Sequence, residues 1–389
     1  MNRHIALPLL PALLVALLTG CAHDDPHHAA RQQAQERADQ LALSGYRAEQ
    51  DQSLTVALQQ WVVAGQVQPL ALAFPGSGTR LPLVVYLPGL GESAQAGSRW
   101  REAWARAGYA VLSVQPLAFD AEAWQSELAR NADFKALARN HRAPELQPRR
   151  NERVALVLAE ARRRGASGDS LWSRVDFDTV VMAGYDIGSL SAAEASNSAR
   201  ALLLLSPMPL GAELSGHLQQ PMLMIGSRRD DDLIGLVASP AERLQGFATL
   251  PPGHKQMLVL DDANHALLSG AAGQLDGDDG ASAVATPQEA RSSHSAHGNG
   301  SRDGGGGGAR QRRGGGGSGG DAPGYGGAGR GADRSRGDFN GAARAQVQAI
   351  VTLSTAFLDA EVRGSRSARE WLDHEAAGWV HGLGQWQQR

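Results

Sequence analysis

Residues 178–196 read DTVVMAGYDIGSLSAAEAS: an apolar run, a tight turn flanked by glycines, and a stretch of small residues suited to a helix. The turn itself is Gly184-Tyr185-Asp186-Ile187-Gly188. A strand that turns sharply into a helix strains the residue at its apex. The positions two residues to either side must then be minimal, so that strand and helix can approach. Gly184 and Gly188 meet that demand and put Asp186 at the apex. A turn of this kind, a nucleophile elbow, holds up the side chain that attacks a substrate, and that side chain is normally a serine. Aspartate at the apex raises a choice between a different chemistry and a lost one.

Outward from the elbow, apolar runs alternate with helical segments. Leu54–Val63 and Gln66–Phe74 read as paired strands joined by a glycine turn, and LPLVVYLPGLGES (81–93) as a buried strand ending in a glycine loop. RWREAWARA (99–107) suits a helix and GYAVLSVQPL (108–117) the next strand; 121–140 and 150–164 are charged, with apolar positions at helical spacing. After the elbow strand 179–183 come ALLLL (201–205), PMLMIG (221–226) and QMLVLDDANHALL (256–268). Strands alternating with helices predict an α/β protein, its mostly parallel sheet covered on both faces. AQVQAIVTLSTAFLDAEVRG (345–364) predicts a closing helix that packs back on that sheet.

Chemistry-bearing residues follow the elbow in a definite order. GSRRDDD (226–232) offers Asp230, Asp231 and Asp232 just after a strand, with Asp230 the preferred acid, and His265 follows the last strand. Nucleophile, acid, histidine is the chain order of an elbow-type triad. Pro88-Gly89-Leu90-Gly91 supplies a loop whose Leu90 backbone N–H, with that of Ile187, would face a developing oxyanion. Ser189 and Ser191 lie beyond the strained turn and do not replace an apex serine. Asp261 and Asp262 read as turn residues, alternatives for orienting His265; His254 reads as a surface residue. Trp100, Trp104 and Trp124 read as core or pocket wall.

Residues 54–270 and 343–373 resemble the serine-esterase branch of the α/β-hydrolase superfamily that includes dienelactone hydrolases and platelet-activating-factor acetylhydrolase-like proteins. The resemblance rests on VVYLPGLGES, GYAVLSVQPLAFDAEAW, GYDIGS, GSRRDDDLIG, LPPGHKQMLVLDDANHALLSG and STAFLDAEVRGSRSAREWL. It implies an α/β-hydrolase fold without a large cap domain, a small ester-like substrate, and an Asp186–His265–Asp230 constellation that needs no cofactor or metal. The chain departs from that family at Asp186, where Ser or Cys is usual.

Asp186 leaves three readings open. It can assist ester hydrolysis, as nucleophile or as base for a water. It can attack an sp³ carbon of a halide or epoxide, giving an alkyl ester that His265-activated water releases. Haloalkane dehalogenases and epoxide hydrolases work that way, but they carry Trp where Ile187 stands and a cap where this chain has only SPMPLGAELSGHLQQ. Or the domain binds a ligand or scaffolds a partner without catalysis, with Asp186 held by His265 as an ion pair.

The ends and the composition place the domain. The chain has 389 residues, a formal net charge of −3 and 42% hydrophobic residues, so no global field selects nucleic acid. Arg3, an apolar run and Leu18-Thr19-Gly20-Cys21 resemble a bacterial lipoprotein signal (1–20), with Cys21, the single cysteine, as lipidation site. That implies a membrane partner through the lipid and an outer-membrane location facing the periplasm. Residues 21–50 read as a polar tether whose His23, His27 and His28 offer a metal no fixed geometry. The hydrolase domain spans 51–270 and resumes as a helical part over 343–389. Between them, 271–342 reads as a disordered Gly/Arg-rich insertion, since twenty of the 47 glycines fall between Gly298 and Gly341.

Overall fold

The computed structural model describes residues 26–232, 234–271 and 332–389. Among the described residues nine strands form one mixed sheet: β1 (Leu54–Val63), β2 (Gln66–Pro75), β3 (Leu81–Leu87), β4 (Ala110–Val114), β5 (Val175–Tyr185), β6 (Ala201–Leu205), β7 (Met222–Arg229), β8 (Lys255–Asn264) and β9 (Gly384–Gln388). Their spatial order is β1-β2-β4-β3-β5-β6-β7-β8-β9. β4, β3, β5, β6, β7 and β8 run parallel, while β1, β2 and β9 are antiparallel to their neighbours. β1 and β2 join through Ala64 (φ 48°) and Gly65 (φ 76°), two left-handed residues that match the twist of a two-residue hairpin.

Alternation along the central strands feeds two apolar layers. Val84, Val181, Leu203 and Leu205 pack on one face with Trp100, Trp104 and Phe357. Val85, Met182, Leu202 and Leu204 pack on the other with Val154, Val157 and Trp172. The helices Ser98–Arg106 and Ala332–Glu361 cover the first face; Leu146–Ala166 covers the second. Trp100 and Trp104 are therefore core, as the sequence suggests.

Three boundaries differ from the sequence reading. Pro26–Ser44, inside the expected tether, is a helix; its Ala38 and Leu41 are buried in the first layer, and the Trp379 indole N–H donates to Leu41 O. The closing helix begins at Ala332, within the expected insertion. The expected helical end contains β9, which pairs with β8. GQWQQ is polar and edge-exposed on one side, so it carries no apolar run to announce a strand. Cys21, the signal segment and residues 272–331 lie outside the described residues.

Candidate active site

The carboxyl ends of the parallel strands converge on one edge of the sheet. The elbow leaves β5 at Asp186, the Gly89–Gly91 loop leaves β3, Ser206 follows β6, Asp230 follows β7, and His265 follows β8. This is the edge where open parallel sheets place ligands.

Asp186 sits at φ 49°, ψ −123°, a left-handed conformation that costs a non-glycine residue about 1–3 kcal/mol. The two glycines explain how the turn closes. A Cβ on Gly184 would run into the Gly188 carbonyl, and one on Gly188 into the carbonyls of Leu87 and Pro88. The backbone N–H of Asp186 donates to Leu205 O (3.1 Å), tying the apex to β6. Ser189 and Ser191 are buried and occupied: Ser189 Oγ donates to Asp186 O and accepts from Met208 N, and Ser191 Oγ accepts from Gln147.

His265 Nδ1 lies 2.7 Å from Asp230 Oδ1 and 3.1 Å from Ser206 Oγ. A carboxylate only accepts, so Nδ1 carries the proton and Nε2 is the nitrogen left for chemistry. Burial lowers the imidazole's pKa, but the Asp230 hydrogen bond and the charges of Asp186 and Asp230 outweigh it, and the net shift is upward. Of the candidate acids only Asp230 meets His265. Asp231 is exposed, and Asp232 turns back to accept from the N–H groups of Ile234, Gly235 and Val237. Asp261 and Asp262 pair with Arg228 and Arg229 at the surface. His254, 55% exposed, pairs with Glu361.

The sequence reading missed Arg243. Its guanidinium is buried, with Nη1 3.2 Å from Asp186 Oδ1, Nε 3.7 Å from Asp230 Oδ2 and Nη2 3.5 Å from Asp232 Oδ2. Nη1 also donates to Ser206 O (3.0 Å). Arg243 rides on the short helix Pro240–Leu244, whose start is fixed by Ser239 accepting from Glu242 N and by Glu242 accepting from Ala238 N. That Ser-Pro-Ala-Glu spacing is legible in the sequence, whereas the burial of the arginine is not. Asp186 is therefore ion-paired to Arg243 rather than to His265, because the guanidinium reaches the centre of three carboxylates. Burial works against that charge, but Asp186, Asp230 and Asp232 raise the arginine's pKa overall.

The other oxygen of Asp186 faces the expected oxyanion loop: Leu90 N–H donates to Asp186 Oδ2 at 3.5 Å. Ile187, buried, opens the helix Ile187–Glu194. Leu90 and Ile187 also join Ala123, Leu137, Met208 and Val237 in a third apolar cluster over this edge, with Trp124 packed against it. Glu92, in the same loop, accepts from Gly89 N (2.8 Å). Burial pushes its carboxyl up to about 7, and the nearby Asp186 charge adds to the rise against the Gly89 N–H, His265 and Ser269. The Leu-Gly-Glu-Ser loop was visible in the sequence, but nothing there marked Glu92 as titrating near neutrality.

Among the described residues no group of three or more His, Cys, Asp or Glu is arranged to hold a metal ion. Where Asp186, Asp230 and Asp232 converge, the Arg243 cation takes the central place. No protein-family model matches the chain, and no curated protein matches it.

Proposed function

We propose that the chain is an α/β-hydrolase-fold hydrolase in which Asp186 is a covalent nucleophile toward an sp³ carbon electrophile, an epoxide or an alkyl halide. The strand order, the antiparallel β2 and the elbow at the end of β5 support the fold reading. One observation carries the chemistry: Leu90 N–H points at Asp186 Oδ2, 3.5 Å away, rather than into open space. A serine-type esterase needs that donor free for the substrate's oxyanion. In alkyl transfer the donor instead meets the carboxylate's own second oxygen, which becomes the carbonyl oxygen of the aspartyl ester.

The steps balance without a cofactor. A carboxylate oxygen of Asp186 bonds to the substrate carbon as the carbon–halogen or carbon–oxygen bond breaks. Halide leaves as the anion, or the epoxide oxygen takes a proton from Glu92, which holds one near neutrality. Esterification removes the Asp186 charge that helps keep His265 protonated, so the imidazole loses its proton more readily. Neutral Nε2 then takes a proton from water, the hydroxide adds to Cγ of Asp186, and Leu90 N–H steadies the oxyanion. As it collapses, the bond from Cγ to the alkyl oxygen breaks, the departing alkoxide takes the proton back from His265 Nε2, and the Asp186 carboxyl gives up its proton to solvent, or to Glu92 after an epoxide has opened. Asp230 holds the imidazole throughout.

The Asp186–Arg243 contact favours a second reading. Both side chains are at most 3% exposed, a burial that suits a non-catalytic binding or scaffold protein. Ester hydrolysis, the expectation from family resemblance, requires Asp186 Oδ2 to leave Leu90. Turnover of short aryl esters, epoxides and haloalkanes in ¹⁸O-water, followed by peptide mass spectrometry, separates the three. Nucleophilic aspartate leaves ¹⁸O in the Asp186 carboxylate after alkyl turnover. Ester turnover without such label supports the esterase reading, and silence from folded protein supports the binding protein.

The same proposal places the domain in a bacterial envelope, anchored through lipid on Cys21. The described residues contain no helix long and apolar enough to cross a membrane.

A further inference from the structure

At the same edge of the sheet, beside β2 and the end of β4, lies a cavity of about 630 Å³. That is within the roughly 300–1,000 Å³ of small-molecule sites. Arg149 and Arg153 both line it. They stand four residues apart on the helix Leu146–Ala166 and so share one of its faces.

Arg153 is only 7% exposed. Its Nε donates to Gln68 Oε1 (2.8 Å), Nη1 to Val63 O (2.9 Å) and Nη2 to Gln66 O (3.2 Å). Those three bonds leave two of the guanidinium's five N–H groups unspent, and every acceptor is neutral. Among the described residues it has no carboxylate partner, and burial lowers its pKa with nothing opposing. Buried charges are ordinarily paired. Arg150, on the same helix, shows the usual solution, with Nε 2.7 Å from Asp120 Oδ2. Arg101 is also buried on carbonyl oxygens, but it does not line this cavity. Arg149 is exposed and makes no ion pair among the described residues.

The rest of the lining is amphipathic. Val67 is 62% and Phe119 49% exposed, both at the cavity, and the buried Leu146 also lines it. Glu122, the only carboxylate among the described lining residues, is exposed and leaves the two cations in excess.

We propose that this cavity binds an organic anion, its carboxylate or phosphate head on Arg149 and Arg153 and its apolar body along Val67, Phe119 and Leu146. The site stands whatever Asp186 does. Its wall is nonetheless continuous with the oxyanion loop: Gln68 donates to Gln115 O, and Gln115 Nε2 donates to Gly89 O and Glu92 O.

Calorimetric titration of the full chain with octanoate and with octyl phosphate tests the proposal, with 1-octanol as the uncharged control. Saturable binding of either anion is expected, weakening as salt rises and at least about tenfold weaker in Arg149→Ala. That exposed residue can be removed without disturbing the fold, whereas Arg153→Gln is read beside its melting temperature. Binding of octanoate alone assigns a carboxylate head, and of octyl phosphate alone a phosphate head. Asp186→Asn should bind like the wild type. The proposal is overturned by no saturable binding at millimolar anion, by equal affinity for 1-octanol, by affinity unchanged in both arginine variants, or by loss of binding in Asp186→Asn.

Discussion

Replacing Arg243 with methionine removes the buried guanidinium from among Asp186, Asp230 and Asp232 while keeping an unbranched side chain of similar reach. The guanidinium is 1% exposed and lies 3.2, 3.7 and 3.5 Å from those three carboxylates. Breaking a buried ion pair from one side costs about 3–5 kcal/mol, because the partner is left charged and dry. The orphaned charges here sit close together, so the upper half of that range is expected. At about 2–3 °C per kcal/mol for a chain of this size, the melting temperature should fall by roughly 8–15 °C. Adding Asp186→Asn to Arg243→Met removes one of the stranded charges. The double variant should therefore be less damaged than the sum of the single ones, by about 1–3 kcal/mol. Urea unfolding of all four proteins at neutral pH measures the cycle. A single variant within about 1 kcal/mol of wild type, or a cycle that closes additively, would refute the claim that Arg243 balances the site.

The raised pKa of His265 gives a pH signature of known sign. A group whose folded pKa lies above its unfolded value of about 6.5 contributes stability below that value and loses it as pH rises through the folded pKa. The stability gap between wild type and His265→Gln should thus be larger at pH 5.5 than at pH 9, and an equal gap in urea titrations would contradict the shift. Leu41→Ala should destabilise the chain by about 2 kcal/mol, since Leu41 is buried where the helix Pro26–Ser44 docks; unchanged stability would mean that this helix does not pack on the domain. Cys21→Ser should release the protein from the membrane fraction, and retention would place the anchor elsewhere.

The elbow was legible because its rule is local. Gly184 must lack a side chain because of the Gly188 carbonyl within the same turn, and although the atoms that crowd Gly188 belong to Leu87 and Pro88, the paired glycines themselves stand two residues either side of Asp186. The apolar strands and the order Asp186, Asp230, His265 were legible for the same reason, since each follows a run that can only be a buried strand. Choosing among Asp230, Asp231 and Asp232 was harder. Their directions depend on how the chain leaves β7, where the register with β8 shifts between Ser227 and Arg229. Arg243 gave no signal at all. It is an ordinary position on a five-residue helix, and only the convergence of three carboxylates from two loops makes its burial favourable. The helix Pro26–Ser44 carries little signal in the sequence, since among its described side chains only Ala38 and Leu41 are buried, too narrow a stripe to stand out against polar neighbours. Glu92 shows the same limit at the site itself: its residue type was plain, but its environment was not.

The central claim is that Asp186 bonds covalently to carbon and that His265 releases it. Intact-protein mass spectrometry of His265→Gln, incubated with a small epoxide or bromoalkane and followed by peptide mapping, addresses it directly. Without the imidazole, water is not activated and the ester should accumulate, adding one alkyl group to the Asp186 peptide, with no such adduct in Asp186→Asn/His265→Gln. An unmodified His265→Gln protein, folded and exposed to the same electrophiles, would contradict the account.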